Sequence, residues 1–215
     1  SHPPPLQIRL SLLHWYDGAH RVLPWRRNPH SRLGPAAAAG GASLDLPTQA
    51  FLYRVWVCEV MAQQTQLDRV KAYWGAWMER WPDVASLAAA TDDDVRAAWA
   101  GLGYYRRAAF LLKGARYVVE ELNGVFPTDV AGLLKIPGVG AYTSAAMASI
   151  AAGAHAAVVD GNVVRVLSRL RALAGDPKSG AAGKAHARLA ARLLDPGRPG
   201  DFNQAVMELG ATVCT

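Results

Sequence analysis

Residues 137–140, Pro-Gly-Val-Gly, constrain what this chain can fold into more than any other stretch. Two glycines flanking one small apolar residue make a turn that passes close to a neighbour without side chains in the way. Ahead of it the pattern predicts a short helix from Asp129 to about Lys135, capped by Thr128. Behind it a second helix is expected from about Ala141 to Ala152, closed by Gly153 in the left-handed conformation. Such a turn aims backbone N–H groups outward just before a helix N-terminus, a seat for an anion such as a phosphate. Taken alone, it is equally an ordinary helix-turn-helix corner whose glycines serve geometry only.

No segment of any length runs at the two-residue period of a strand, so the fold class is all-α. At 215 residues and 51% hydrophobic, the chain can bury a sizeable core as one unit or two small lobes. A net charge of +6 favours a polyanionic partner. No apolar run reaches transmembrane length, and Ser-His-Pro-Pro-Pro at the start lacks the regions of a signal peptide. Two cysteines, Cys58 and Cys214, make no disulfide framework and point to a reducing compartment.

Along the chain, Leu6, Leu10, Leu13 and Asp17 fall at helical spacing and predict an amphipathic first helix. Leu23-Pro24-Trp25-Arg26-Arg27 sets an aromatic beside two cations, which reads either as a binding loop or as a core plug with solvated arginines. Residues 31–49, rich in alanine, glycine and proline, read as a mobile surface insertion. From Val55 to about Arg80 a long helical region is expected, with a possible break near Asp68. Inside it Glu59 lies among Val57, Cys58, Val60 and Met61, where a carboxylate is costly unless partnered or protonated. Gln63 and Gln66 extend from Glu59 a polar stripe suited to lining a cleft.

Thr91 and the acids after it cap the next helix. Gly101-Leu102-Gly103-Tyr104-Tyr105-Arg106-Arg107 offers aromatic faces for bases beside phosphate-binding cations, or else a packed tyrosine pair with solvated arginines. Residues 108–123 read as a helix, and Asp160 as the N-cap of another running to about Ala174. A loop follows over 175–183, then helices over 184–194 and from about Asp201 to the end.

Six segments in this order resemble the MutY-type adenine DNA glycosylases, a branch of the helix-hairpin-helix superfamily typified by endonuclease III. They are Leu-Pro-Trp-Arg at 23–26, Glu-Val-Met-Ala-Gln-Gln-Thr-Gln at 59–66, Gly-Leu-Gly-Tyr-Tyr at 101–105 and Pro-Gly-Val-Gly at 137–140. Val-Asp-Gly-Asn-Val at 159–163 and Phe-Asn-Gln-Ala at 202–205, with Glu-Leu-Gly-Ala at 208–211, complete the set. The resemblance runs from about Leu6 to Thr215, with 31–49 as an extra insertion. It implies a two-lobed fold with the DNA and the active-site cleft between the lobes. Residues 51–152 would form a six-helix barrel lobe containing the hairpin, and 1–30 plus 153–215 the second lobe.

The activity implied is hydrolysis of the N-glycosidic bond of adenine opposite 8-oxoguanine or guanine, after the base leaves the stack. By the resemblance, Glu59 is the acid that protonates adenine, with a pKa raised by its apolar setting. Asp160 stabilises the charge on the sugar or acts as nucleophile. Tyr142 and Asn162 support the sugar and Asp160, while Trp25, Arg26 and Gln204 read the flipped adenine. Tyr104 wedges into the stack, Gln64 contacts the distorted pair, and the backbone of Gly138, Val139 and Gly140 holds a phosphate. Bifunctional relatives carry a lysine where this chain has Tyr142, so a monofunctional enzyme is expected.

Three departures stand out. Ala62 occupies a place where the family usually has leucine, and Cys58 one where it usually has serine. Most members ligate a four-iron four-sulfur cluster through a four-cysteine loop beginning at the position of Cys214, and this chain supplies one such thiol. No cofactor is therefore expected in the chain itself, although the cluster is expected in a full-length member. The implied partner is duplex DNA carrying an adenine mispair, bound by a monomer away from membranes. The expected location is intracellular: nucleus or mitochondrion in a eukaryote, cytoplasm in a bacterium. Two other readings stand beside this one: a glycosylase for another mispair such as thymine opposite guanine, and a non-catalytic duplex-binding fragment.

Overall fold

A computed structural model describes residues 3–39, 46–173, 176 and 179–214. Among these residues the ordered elements are helices, with no strand. In chain order they are α1 (Pro5–Ala19), α2 (Pro35–Ala39), α3 (Thr48–Ala62), α4 (Leu67–Arg80), α5 (Val84–Ala88) and α6 (Asp92–Ala98). α7 (Arg106–Glu121), α8 (Val130–Leu133), α9 (Ala141–Ala152), α10 (Gly161–Arg171), α11 (Gly180–Leu193) and α12 (Pro199–Thr212) follow.

The apolar residues separate into two principal clusters. One gathers Trp56, Trp77, Trp99, Phe51, Leu111 and Phe126 around α3, α4 and α7. The other joins Leu12, Leu13 and Tyr16 of α1 to Val163, Leu167, Phe202 and Val206 of α10 and α12. Helix α9 runs between them, packing on α3 on one side and α12 on the other. Its sequence explains how: Thr143, Ser144, Ala145, Ala146, Ala148, Ser149 and Ala151 are all buried, and small side chains let two neighbours approach at once. Asn203 fastens the join. Its amide donates to Ser149 Oγ (2.9 Å) and to the Ala156 carbonyl (2.8 Å), and its carbonyl accepts from Val158 N–H (3.2 Å).

Local sequence accounts for several helix ends. Thr91 caps α6 by accepting from Asp94 N–H, and Gly153 closes α9 at φ +69°. The short helix before the hairpin is capped by Asp129, which accepts from Gly132 N–H, rather than by Thr128. The long helical region breaks at residues 63–66, ahead of Asp68, and α5 adds a turn with its own capping box at Asp83. α10 ends at Arg171, α11 begins earlier than expected under a Ser179 cap, and α12 begins at Pro199.

Two expectations need correction. In α1 the packing face is Leu12, Leu13 and Tyr16, with Ile8 and Trp15 partly buried beside them, while Leu6 and Leu10 are exposed because the helix turns that other face to its cluster. The 31–49 segment is not wholly a loose insertion. Ala37 and Ala38 of α2 are buried, the Ala38 carbonyl accepts from Asn28 N–H (2.9 Å), and Arg32 donates to the His14 carbonyl (2.6 Å). Its expected mobility over 40–45 falls outside the described residues.

Candidate active site

A cleft of about 480 Å³ opens where α3, α9, α10 and α12 meet the loop between α1 and α2. Glu59, Tyr142, Asp160, Asn162, Trp25 and Arg26 all line it, together with Cys58, Ala62, Met207 and Glu208. The sequence separates these groups by up to 183 positions between Trp25 and Glu208, and the fold brings them to one cleft.

Glu59 projects from the last turn of α3, part of its surface facing the cleft. Its Oε2 accepts from the Tyr142 hydroxyl at 2.7 Å. Burial pushes the carboxyl up to about 7, and the charge of Asp160 adds to the rise; the Tyr142 bond and the charge of Arg26 oppose it. Tyr142 is held in turn by burial and by Glu59 well above the usual phenol range, so it stays a donor. Its hydroxyl also lies 3.6 Å from Met207 Sδ.

Asp160 is fixed at both oxygens. Oδ1 accepts from Val163 N–H (2.8 Å), which makes it the N-cap of α10, and Oδ2 accepts from Asn162 Nδ2 (2.8 Å). The Asn162 carbonyl accepts from Arg165 Nη1 (3.2 Å). A carboxylate so held has no freedom to swing away from charge developing beside it. The cleft therefore joins a carboxyl able to hold a proton near neutral pH to a second carboxylate clamped in place, the division of labour seen in glycoside hydrolysis.

Part of the same lining is an ion network. Glu208 is buried and accepts from Arg21 N–H (2.9 Å), Arg21 Nε (2.7 Å) and Nη2 (2.9 Å), and Arg26 Nη1 and Nη2 (both 3.1 Å). Burial would push the Glu208 carboxyl up, but the Arg21 bonds and the charge of Arg26 bring it down to about 2. Trp25 packs edge-on against Trp74 at 5.7 Å, which sets its indole on the cleft wall. Gln204 is not on that wall. It is buried behind Arg26, accepting from Arg26 Nε (3.2 Å) and donating to the Gly200 carbonyl (3.3 Å), so both ends of its amide are spent inside the protein. Its expected contact with a base is replaced here by support of Arg26. Glu208 is the residue that sequence reasoning passed over, having served only as a family marker.

The hairpin lies beside this cleft at the N-terminus of α9. Gly138 has φ +83°, and a Cβ there would meet Phe110 Cβ at 2.6 Å, so the position requires glycine. Gly140 faces open space. The N–H groups of Gly138 and Gly140 find no acceptor among the described residues. Val139 differs from expectation: its side chain is buried and its N–H donates to the Ile136 carbonyl (3.0 Å), so it serves the turn rather than an external phosphate.

Gln64 and Tyr104 stand apart from the cleft lining on exposed turns, both with left-handed backbones. Arg106 is exposed, its guanidinium 5.2 Å from the Phe110 ring. Arg107, also expected as a phosphate-binding or solvated cation, is instead buried and turned inward onto backbone carbonyls. Cys58 is buried beneath the cleft and Cys214 accepts from Arg169 Nη1 at 3.0 Å. Cys58 belongs to one apolar cluster and Cys214 packs against the other, so they do not fit a four-cysteine cluster, and no group of three or more ligating side chains able to hold a metal occurs among the described residues.

The sequence profile of the HhH-GPD superfamily base excision DNA repair proteins matches residues 57–191. The human adenine DNA glycosylase is 51% identical over 209 residues, covering 97% of this chain and 36% of its own length. The adenine DNA glycosylase of Mycolicibacterium smegmatis is 42% identical over 207 residues, covering 96% of this chain and 63% of its own length. This chain thus spans about a third of the human relative and under two thirds of the bacterial one. Among solved structures, a thermostable thymine-DNA glycosylase superposes with a TM-score of 0.76 at 24% identity, over 98% of this chain and 88% of that one. A trapped endonuclease III–DNA covalent intermediate superposes with a TM-score of 0.72 at 20% identity, over 99% and 89%. These two likenesses speak for the helical fold alone. The hairpin, the cleft carboxyls and the match over residues 57–191 together place this chain in the HhH-GPD superfamily of base excision DNA repair proteins.

Proposed function

We propose that this chain is the catalytic core of an adenine DNA glycosylase, removing adenine opposite 8-oxoguanine or guanine by hydrolysis of the N-glycosidic bond. The observation that carries the proposal is the Glu59 carboxyl, raised to about 7 and sharing one cleft with the doubly fixed Asp160. Adenine leaves poorly until a ring nitrogen is protonated, and Glu59 holds a proton for it at neutral pH. As the bond to the sugar breaks, positive charge grows at C1′ and Asp160 faces it, either as an electrostatic partner or as a transient nucleophile. Adenine departs with the proton from Glu59, water adds its hydroxyl to C1′, and the proton that water loses returns to the Glu59 carboxylate.

Tyr142 stands where an attacking amine would be needed for strand cleavage, so the reaction ends at the abasic site. Asn162 steadies Asp160, and Trp25 with Arg26 shapes the wall against which the flipped base lies. Gly138 and Gly140 offer N–H groups to a backbone phosphate, Tyr104 wedges into the gap on the 8-oxoguanine side, and Gln64 contacts the distorted pair. The partner is duplex DNA with an adenine mispair, bound by a monomer. The enzyme works wherever that DNA lies: nucleus and mitochondrion, or the cytoplasm of a bacterium. The one thiol at Cys214 does not by itself hold a four-iron four-sulfur cluster, and no step of this reaction is assigned to one.

Single-turnover release of adenine from a duplex with one adenine opposite 8-oxoguanine tests the proposal. Release by the parent, and a loss of roughly 100-fold or more in Glu59→Gln, is expected. Release of thymine opposite guanine in place of adenine would assign another mispair. Duplex binding without release of any base would leave a binding fragment and overturn the catalytic reading.

A further inference from the structure

Arg107 ties together two turns that are remote in sequence. Its Nη1 lies within hydrogen-bond distance of the carbonyls of Val60 (3.2 Å), Met61 (2.8 Å) and Gln63 (2.5 Å) and of Thr65 Oγ1 (3.2 Å). Its Nη2 reaches Thr65 Oγ1 (3.2 Å) and the carbonyls of Leu102 (3.1 Å) and Gly103 (3.0 Å). The first group ends α3, whose last carbonyls have no partner within the helix. The second belongs to the turn that leads into α7. The guanidinium also packs against the rings of Trp99 (5.3 Å) and Tyr104 (5.6 Å).

On each side of this clamp, the residue after an anchored carbonyl has a left-handed backbone. Gln64 at φ +56° follows Gln63, and Tyr104 at φ +49° follows Gly103. Residues other than glycine seldom hold that conformation unless their surroundings fix it. Both side chains are exposed, Tyr104 at 64%. Two strained, exposed residues on separate turns thus share one buried anchor. Only a forked, planar cation reaches carbonyls on both turns at once; an ammonium on a flexible stem would hold one or the other.

We infer that Arg107 is a positioning residue that locks the 63–66 and 101–105 turns into one rigid element, presenting Gln64 and Tyr104 as a pair to the base pair being opened. The inference rests on the reading of this chain as a base-extruding glycosylase. It assigns Arg107 no contact with DNA: the residue acts through the two side chains it orients. Its loss therefore reduces base extrusion more than the binding of DNA that needs no extrusion.

The test uses a duplex with 2-aminopurine beside the target adenine, whose fluorescence rises on unstacking, and a second duplex carrying an abasic site at the target position. In Arg107→Lys the unstacking rate is expected to fall roughly tenfold while affinity for the abasic duplex changes by less than about twofold. In a background carrying both Gln64→Ala and Tyr104→Ala, Arg107→Lys should add little, because the two side chains it orients are already gone. Thr65→Ala, which removes the hydroxyl bonded to both guanidinium nitrogens, should show the same pattern more weakly even where Arg107→Lys folds poorly. Equal losses with and without the Gln64 and Tyr104 side chains, or equal losses on the two duplexes, would overturn the inference. A parent that shows no unstacking signal overturns the glycosylase reading and the inference with it. A parent that unstacks the base and an Arg107→Lys variant that does so at the same rate sinks the inference alone.

Discussion

The Tyr142 hydroxyl donates to Glu59 Oε2 at 2.7 Å, and this bond favours the ionised carboxylate. Burial, the larger influence, acts the other way and brings the group to about 7. A general acid must hold its proton, so adenine release should fall as pH rises through that value. Tyr142→Phe removes the bond that lowers the pKa, and the alkaline limb of the single-turnover pH–rate profile should move upward. A limb that stays put or moves down would show that this limb does not report the Glu59 proton.

The same carboxyl burdens the fold. Glu59 titrates near 7 when folded against an ordinary 4.5, so between these values the folded chain keeps a proton that the unfolded chain has lost. Stability therefore falls as pH rises across this window and stays lowered above it. Glu59→Gln is neutral throughout and can still accept from Tyr142. It should exceed the parent in stability at pH 8 by at most about 3 kcal/mol, less because part of the carboxyl faces the open cleft, with no such advantage near pH 4. Urea denaturation at the two pH values decides it; a difference independent of pH would count against the assignment.

Much of this site was legible because its causes are local. Glycine and proline encode the hairpin directly, and Glu59 stood out as an acid among apolar neighbours within one helix. What escaped depends on distant partners. Arg106 and Arg107 are indistinguishable in sequence, yet the first turn of α7 exposes one and drives the other between two loops. Glu208 meets Arg21 and Arg26 across separations of 187 and 182 residues. Gln204 matched a pocket pattern, but its amide is consumed by Arg26 and Gly200, which only the packing of α12 decides. Leu6 and Leu10 carry a helical spacing that no neighbour uses, since α1 turns the face of Ile8, Leu12, Leu13 and Tyr16 to its cluster instead.

The two hairpin glycines should respond differently to substitution. Gly138→Ala places a side chain on a φ of +83° and against Phe110, which together should cost roughly 1–3 kcal/mol of stability. Gly140→Ala meets nothing within 4 Å and lies at φ −94°, an extended backbone that alanine adopts freely, so stability should change by less than about 0.5 kcal/mol. A phosphate seated on the turn would still meet the new methyl group. Gly140→Ala should therefore keep its melting temperature and lose duplex affinity, measured by fluorescence anisotropy. Unchanged affinity would remove Gly140 from the DNA contact.

Asp160 carries two roles that one substitution separates. As the N-cap of α10 it accepts from Val163 N–H, and asparagine caps a helix about as well as aspartate, so Asp160→Asn should alter stability by less than about 1 kcal/mol. In the proposed reaction it also supplies, beside the sugar, a negative charge that asparagine lacks. Loss of that charge should slow adenine release by roughly 100-fold or more while duplex binding persists. Thermal denaturation and single-turnover kinetics on the same preparation check both halves. A variant that is folded, binds the duplex and releases adenine at the parent rate would show that charge at Asp160 does not lower the barrier, and the part assigned to it would pass to the ordered groups around the sugar.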